Sequence, residues 1–94
     1  MRVLLADDHG IVRRGLRSLL ESEPGLTVAG EAADGLEALK MCEELKPDLL
    51  IIDIGMPKLN GIDVAARVQK YASPPKTIIL SMHSDESYII RALA

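Results

Sequence analysis

Apolar residues along the chain fall in short runs that alternate with segments of helical spacing. Four runs have the length and composition of strands, at residues 3–6, 26–32, 49–52 and 77–80. The first and third are apolar at every position, which is typical of central parallel strands covered on both faces. The second mixes polar and apolar residues and therefore predicts a half-exposed edge strand.

The first helix is predicted at residues 11–20. Arg13, Arg14 and Arg17 take one face of it as a solvated surface, and Asp8 is a suitable N-cap. The apolar residues fall on the opposite face at the spacing of a helix, and they are expected to face the core. These residues are Ile11, Val12, Leu16, Leu19 and Leu20.

Three further helices follow. The second starts at Asp34-Gly35 and ends before Pro47, because a residue that precedes proline avoids helical geometry. The third covers residues 62–72, and a fourth is expected to begin near Asp85 or Glu86. The core-facing positions are expected at Ala38, Leu39, Cys42 and Leu45 of the second helix and at Ile62, Ala65, Ala66 and Val68 of the third.

This alternation predicts an α/β domain with a parallel sheet and right-handed crossovers. In such sheets the functional crevice lies beyond the carboxyl ends of the strands. The polar residues that follow the predicted strands, and are therefore expected at that crevice, are Asp7, Asp8, Asp34, Asp53 and Ser81.

The composition is that of one small globular domain. The chain has 94 residues, 48% of them hydrophobic, and a formal net charge of −3, which argues against nucleic-acid binding through phosphate contacts. Its single cysteine cannot form an internal disulfide, and no apolar run reaches membrane-spanning length. We therefore expect a cytoplasmic domain with no membrane partner.

Three carboxylates, Asp7, Asp8 and Asp53, end two strands that are expected to be central. If those strands are neighbours, the like charges converge and need a compensating cation. Oxygen ligands favour Mg²⁺, an aspartate beside that ion is a suitable nucleophile towards phosphorus, and Ser81 would hydrogen-bond a phosphoryl oxygen. Alternatively, the acids serve only as a turn and a helix cap, and spacing alone leaves both interpretations open. His9 is expected at the surface of the first helical turn and not as a ligand.

Four motifs resemble, in the same order, the receiver domains of bacterial two-component response regulators. Together they cover nearly the whole chain, and the first and last are most similar to regulators with a LuxR-type C-terminal DNA-binding domain. The resemblance implies a flavodoxin-like three-layer α/β/α fold with strand order 2-1-3-4 in this chain. The motifs are Leu4-Leu5-Ala6-Asp7-Asp8-His9, Glu31-Ala32-Ala33-Asp34-Gly35, Asp53-Ile54-Gly55-Met56-Pro57 with Asn60-Gly61, and Leu80-Ser81-Met82-His83.

The resemblance also implies roles for individual residues. Asp53 would accept a phosphoryl group from a sensor histidine kinase, and Ser81 would be the switch hydroxyl that moves towards it. Mg²⁺ would be bound by Asp8 directly, by Asp7 through water, by Asp53 and by the backbone carbonyl of Gly55. The domain would not be an enzyme but a signalling module that assists its own phosphorylation and dephosphorylation and controls an output such as transcription.

The sequence departs from the family pattern at its C-terminal end. Family receivers continue to a fifth strand with a phosphate-binding lysine and a switch aromatic, then a fifth helix, and neither Lys58 nor Lys76 stands at the matching place. We therefore expect residues 1–94 to be a C-terminally incomplete receiver domain, with any DNA-binding domain outside this chain. The fourth strand would then be an exposed edge and one sheet face would carry an apolar patch, which leaves homodimerisation open.

Other functions fit parts of the pattern. A flavin- or nucleotide-binding domain would need a glycine-rich phosphate loop after the first strand, where this chain has Asp7 and Asp8. An aspartate-nucleophile phosphatase usually has a second acid two residues after the nucleophile, where this chain has Gly55. A non-switching receiver fragment and a metal-free interaction or dimerisation module stay open as alternatives.

Overall fold

Up to residue 82, strands and helices alternate as the hydrophobic pattern predicts. The computed structural model describes residues 1–82 and 88–93, with side chains described for residues 1–80. The strands are β1 (Arg2–Ala6), β2 (Thr27–Ala32), β3 (Leu49–Asp53), β4 (Lys76–Met82) and β5 (Tyr88–Leu93). The helices are α1 (Gly10–Glu21), α2 (Gly35–Leu45) and α3 (Gly61–Val68).

The five strands form one sheet in the order β2-β1-β3-β4-β5. β1 pairs in parallel with β2 on one side and with β3 on the other, and β3 pairs in parallel with β4. The all-apolar β1 and β3 are therefore central, and β2 is an edge, as the sequence predicts. The strand order 2-1-3-4 and the flavodoxin-like fold are confirmed.

The last strand differs from the prediction. A helix was expected from Asp85 or Glu86; residues 83–87 lie outside the described residues, and Tyr88–Leu93 form β5, antiparallel to β4. Tyr and Ile favour strands, and β4 has a second edge of backbone donors and acceptors to pair, so a strand replaces the helix there. The prediction of an exposed β4 edge is therefore wrong. Because β5 is antiparallel, it is not the fifth strand that the resemblance places later in the chain.

Alternate residues of the sheet enter two apolar clusters on opposite faces. On one face, Leu4 of β1 and Ile52 of β3 pack with buried residues of α2 and α3. On the other face, Leu5 of β1 and Ile51 of β3 belong to a smaller cluster that α1 reaches. This arrangement gives the three layers of an α/β/α fold, with α1 on one side and α2 and α3 on the other.

α1 packs more loosely than its sequence pattern predicts. It has no buried residue, and only Leu16 and Leu20 pack, partly buried, against the smaller cluster. Ile11 is 87% exposed and Leu19 is 66% exposed, although both were predicted to face the core. The helix touches the sheet along a narrow line, so side chains at the margins of its apolar face project outward.

The structure also differs from the predictions at the start of α1 and in α3. The N-cap of α1 is His9, not Asp8, and no side-chain hydrogen bond caps the helix. α3 ends at Val68, short of the predicted residue 72, and Ile62 and Ala66 are exposed. Its buried face is formed instead by Gly61, Val64, Ala65 and Val68, because a helix of two turns presents one narrow stripe.

α2 follows its prediction closely. Ala38 and Cys42 are buried, Leu39 and Leu45 pack partly buried against the larger cluster, and the Asp34 carboxylate accepts a hydrogen bond from the Glu37 backbone N–H at 2.8 Å. This bond is that of a helix N-cap. None of the helices in the described ranges has the length and apolar character that a membrane crossing requires.

The buried thiol of Cys42 tests the packing of α2 on the sheet. Burial raises the pKa of this thiol from its ordinary 9.0 to about 11. At mildly alkaline pH the native thiol should react with a disulfide reagent at least about 100-fold more slowly than in the urea-unfolded chain, because its access and its thiolate fraction both fall. The absorbance of the released thiol gives both rates. Equal rates in the native and unfolded chains would contradict this packing.

Candidate functional site

The parallel pairing of β1 with β3 brings two acids together at the carboxyl end of the sheet. Ala6 of β1 is paired with Ile52 of β3, so the next residues along the chain, Asp7 and Asp53, lie side by side at the carboxyl ends of the two strands. Asp7 is only 2% exposed and Asp53 only 7%, whereas Asp8 is exposed. The three acids expected to converge therefore do so.

His9 also lies beside this group, at the surface as expected. Its Nδ1 lies 3.1 Å from Asp7 Oδ1, 3.1 Å from Asp8 Oδ1 and 3.6 Å from Asp53 Oδ2, although its side chain is 51% exposed. One ligand atom from each of these four residues lies within 4.8 Å of the others. We call these four residues the acidic cluster. The signal in the sequence that could have pointed to His9 was its place directly after Asp7 and Asp8.

Burial and repulsion shape the electrostatics of the acidic cluster. Burial is the main cause that raises the pKa of the Asp53 carboxyl above its ordinary value, and the charges of Asp7 and Asp8 raise it further. The Gly55 N–H, which donates to Asp53 Oδ1 at 3.4 Å, and the charge of His9 act in the opposite direction. The pKa of His9 is raised above 6.5, first by its hydrogen bond to Asp7 and then by the charge of Asp8.

Two arginines of α1 connect that helix to the strands beside the site. Arg13 donates from Nη1 to the backbone oxygen of Asp7 at 2.7 Å and from Nε to Glu31 of β2 at 3.0 Å. Arg17 also pairs with Glu31. These two side chains, predicted to lie on a solvated face, therefore connect α1 to β2 and to the end of β1. The spacing of residues along α1 gave no signal of this, because Glu31 is distant in sequence.

The loop after Asp53 is held by backbone contacts that need glycine. The Gly61 N–H donates to the Ile54 oxygen at 3.1 Å, and a Cβ on Gly61 would overlap the backbone carbonyl of Asp53. Across the loop, the Gly35 N–H donates to the Pro57 oxygen at 3.2 Å. These contacts fix the backbone that carries Asp53.

Asp34 and the two lysines already excluded from the family role, Lys58 and Lys76, lie apart from the acidic cluster. Asp34 caps α2 and lies 3.5 Å from the Lys58 ammonium, and the bond from the Glu37 N–H is the main cause that lowers the pKa of its carboxyl. Lys76 begins β4, at the opposite end of that strand from the site. The structure therefore does not bring Asp34, Lys58 or Lys76 to Asp53.

Ser81 follows Leu80, the β4 residue paired with Asp53, so its backbone lies at the same end of the sheet as the acids. Its side chain lies outside the described residues. The predicted role of the switch hydroxyl therefore stays a prediction, as does the role of the Gly55 carbonyl as a metal ligand.

The acidic cluster has the donors that a hard divalent cation needs. It gathers three carboxylates beside one imidazole, and in the described part of the chain no Lys or Arg side chain forms an ion pair with Asp7, Asp8 or Asp53. Mg²⁺ is commonly bound by one or two carboxylates together with waters and a phosphate oxygen. The excess of negative charge and the oxygen donors therefore fit Mg²⁺.

Comparison with known proteins gives consistent matches. The family model described as the response regulator receiver domain matches residues 3–94. The uncharacterized transcriptional regulatory protein YhcZ of Bacillus subtilis strain 168 is 41% identical over 93 residues, which are 99% of this chain and 44% of YhcZ. The chain spans less than half the length of the curated relatives it matches, such as YhcZ and LiaR.

Solved structures give the same result. The signal receiver domain of the putative response regulator NarL from Mycobacterium tuberculosis superposes with a TM-score of 0.83 at 36% identity, covering 88% of this chain and 67% of that one. The isolated REC domain of RcsB from Salmonella enterica serovar Typhimurium, solved with the phosphomimetic BeF₃⁻, has a TM-score of 0.80 at 32% identity. That match covers 89% of this chain and 63% of the RcsB chain.

Replacement of Asp53 by Asn should stabilise the cation-free fold. The raised pKa means that Asp53 supports folding when protonated and loses that contribution as the pH rises through its folded-state value. At neutral pH with EDTA, Asp53→Asn should therefore melt about 4–8 °C above wild type, which corresponds to roughly 1 kcal/mol in a domain of this size. Differential scanning calorimetry measures the difference, which should shrink in acid.

Glu44→Gln is the matched control for this effect. It removes the same charge at an exposed position of α2, where Lys40, at 3.9 Å, is the only ion-pair partner among the side chains of residues 1–80. A surface ion pair of this kind contributes little to stability, so the melting temperature of Glu44→Gln should stay close to that of wild type. An equal rise in both variants would assign the effect to net charge and contradict the role of the acidic cluster.

Replacement of Gly61 by Ala tests the support of the Asp53 backbone. The new methyl group would overlap the Asp53 carbonyl, so urea unfolding should show a loss of about 1–3 kcal/mol. Gly15→Ala is the control, because a Cβ at Gly15 meets nothing within 4 Å and alanine favours a helix by about 0.5–1 kcal/mol. Similar changes in the two variants would rule out the close contact at Gly61.

Proposed function

This chain belongs to the response regulator receiver family, and from that membership we propose that Asp53 accepts a phosphoryl group from the phosphohistidine of a sensor histidine kinase. The observation that supports this most directly is the convergence of Asp7, Asp8 and Asp53 at the carboxyl ends of β1 and β3. A nucleophilic carboxylate beside a cation site is the arrangement that this transfer requires.

The reaction is a displacement at phosphorus. A carboxylate oxygen of Asp53 forms the new oxygen–phosphorus bond while the phosphorus–nitrogen bond of the phosphohistidine breaks, and the donor imidazole keeps the electron pair and takes up a proton. The Gly55 N–H bonds Asp53 Oδ1 and orients the carboxylate. Gly61 lets the chain pass close behind the Asp53 carbonyl, which holds the nucleophile in place.

The cation would be held by Asp8 directly, by Asp7 through water, by Asp53 and by the Gly55 carbonyl. When bound, Mg²⁺ supplies positive charge that offsets the carboxylates and the phosphoryl oxygens. Asp7 contributes to cation binding even without direct contact with the ion, because its carboxylate is held in place. Arg13 bonds its backbone oxygen, and its Oδ1 accepts the His9 backbone N–H at 2.7 Å. The domain assists its own phosphorylation and dephosphorylation through these groups and is not an enzyme for other substrates.

The output would pass through β4. The Ile54 N–H donates to the Leu80 oxygen at 2.9 Å, so the loop after Asp53 is bonded to the strand residue that precedes Ser81. In this proposal the Ser81 hydroxyl bonds the phosphoryl group and changes the adjoining surface. Relatives named as transcriptional regulators support an output in transcription. In this proposal the output passes through a DNA-binding domain outside this chain and takes place in the cytoplasm.

Intact mass spectrometry tests the transfer. Incubation with acetyl phosphate and Mg²⁺ should add one phosphoryl group that hydroxylamine removes, because an acyl phosphate is cleaved by that reagent. EDTA should prevent the gain, Asp8→Ala should reduce it by weakening cation binding, and Asp53→Asn should abolish it.

Asp63→Asn is the control variant for this experiment. Asp63 is an exposed acid of α3 outside the acidic cluster, so its replacement should leave labelling unchanged. Labelling of Asp53→Asn at the wild-type level would refute Asp53 as the acceptor. Absence of labelling in folded, Mg²⁺-bound wild type would refute the proposed function of this chain.

A further inference from the structure

We propose that His9 binds the cation directly through Nδ1 and makes the site selective for divalent ions that accept nitrogen ligands, Co²⁺ most and Mn²⁺ less, relative to Mg²⁺. The inference rests on the proposed function, because it concerns the same cation site. It adds a ligand and a metal preference that three carboxylates alone would not give.

The imidazole nitrogen lies among the carboxylate oxygens at distances that fit both a hydrogen bond and shared coordination of one ion. Nδ1 lies 3.1 Å from Asp7 Oδ1 and 3.1 Å from Asp8 Oδ1, and 3.6 Å from Asp53 Oδ2. Neighbouring ligands around an octahedral ion with bonds of about 2.1 Å lie about 3.0 Å apart. The nitrogen and Asp8 Oδ1, the oxygen proposed as a direct ligand, therefore already have the spacing of two ligands that share one small ion.

The backbone of His9 is fixed at both of its polar atoms. Its N–H donates to Asp7 Oδ1 at 2.7 Å, and its carbonyl accepts the Arg13 N–H at 2.9 Å in the first turn of α1. His9 occupies the N-cap position of that helix, yet its side chain makes no capping bond. A fixed backbone therefore holds the ring beside the acids, and the ring does not cap the helix.

The identity of the donor atoms sets the expected preference. Imidazole nitrogen suits Co²⁺ and later first-row ions, whereas carboxylate and water oxygens suit Mg²⁺ and Mn²⁺. A bond from His9 should therefore raise affinity most for Co²⁺, less for Mn²⁺ and least for Mg²⁺. If His9 acted only by altering the local charge, its removal would change the affinity for all three ions by one common factor, because all three carry the same charge.

Isothermal titration of the EDTA-treated full chain with each of the three ions separates these possibilities. His9→Ala should lose about tenfold or more in Co²⁺ affinity, a smaller factor for Mn²⁺, and little for Mg²⁺. His83→Ala is the control, because His83 is the only other histidine of the chain, and it should keep the wild-type order. A common factor for all three ions in His9→Ala would overturn the proposal.

Pulsed electron paramagnetic resonance of the Mn²⁺-loaded chain gives a readout that does not depend on affinity. Wild type and His83→Ala should show modulation from a coordinated nitrogen, and His9→Ala should lose it. Labelling the histidines of wild type with the heavy nitrogen isotope should change the modulation frequencies without any substitution. Absence of nitrogen modulation in wild type, or its loss in His83→Ala in place of His9→Ala, would overturn the proposal.

The two proposals fail in different ways. If Mn²⁺ and Mg²⁺ bind, Asp8→Ala weakens both, and acetyl phosphate labels Asp53, then missing nitrogen modulation refutes only the role of His9. If neither ion binds the folded wild-type chain, the cation site itself is refuted, and the proposed function fails with it.

Discussion

Electrostatic repulsion among three carboxylates at one end of the sheet is the constraint on which the rest of the site depends. Asp7 and Asp53 meet only because β1 and β3 are direct, parallel neighbours, and both side chains are nearly buried. Such a group is tolerated when nearby groups offset its charge. Here the offset comes from the His9 imidazole and the Gly55 N–H, while glycine at position 61 keeps the backbone of Asp53 in place. The fold gives up some stability here and gains a site that attracts a cation.

The hydrophobic pattern was enough to predict the framework of this site. Runs that are apolar at every position, as in β3, indicate strands covered on both faces, and the mixed run of β2 indicates an edge. Both are local properties of the chain. The rule that parallel sheets place their functional groups at the carboxyl ends of the strands then selected Asp7, Asp8 and Asp53 before any distance was known.

The features that escaped prediction depend on contacts between distant parts of the chain or on the reach of a side chain. Tyr88–Leu93 form a strand because β4 has an edge to pair with, which no local pattern shows. The outward positions of Ile11 and Leu19 depend on how narrowly α1 touches the sheet. The approach of His9 to the acids depends on the turn between β1 and α1. In each case the sequence allowed the observed arrangement without requiring it.

The light burial of α1 affects how the protein opens locally. A helix with no buried residue separates from the sheet at a lower free energy than the central strands, so α1 belongs to the part of the domain that unfolds first. Asp8 and His9 directly precede its first residue, so opening of α1 releases the backbone of both. A cation bound by these residues favours the closed form, and the ordering of α1 becomes linked to cation concentration. Hydrogen exchange in α1 would then slow as the site fills, while exchange in β1 and β3 would change little.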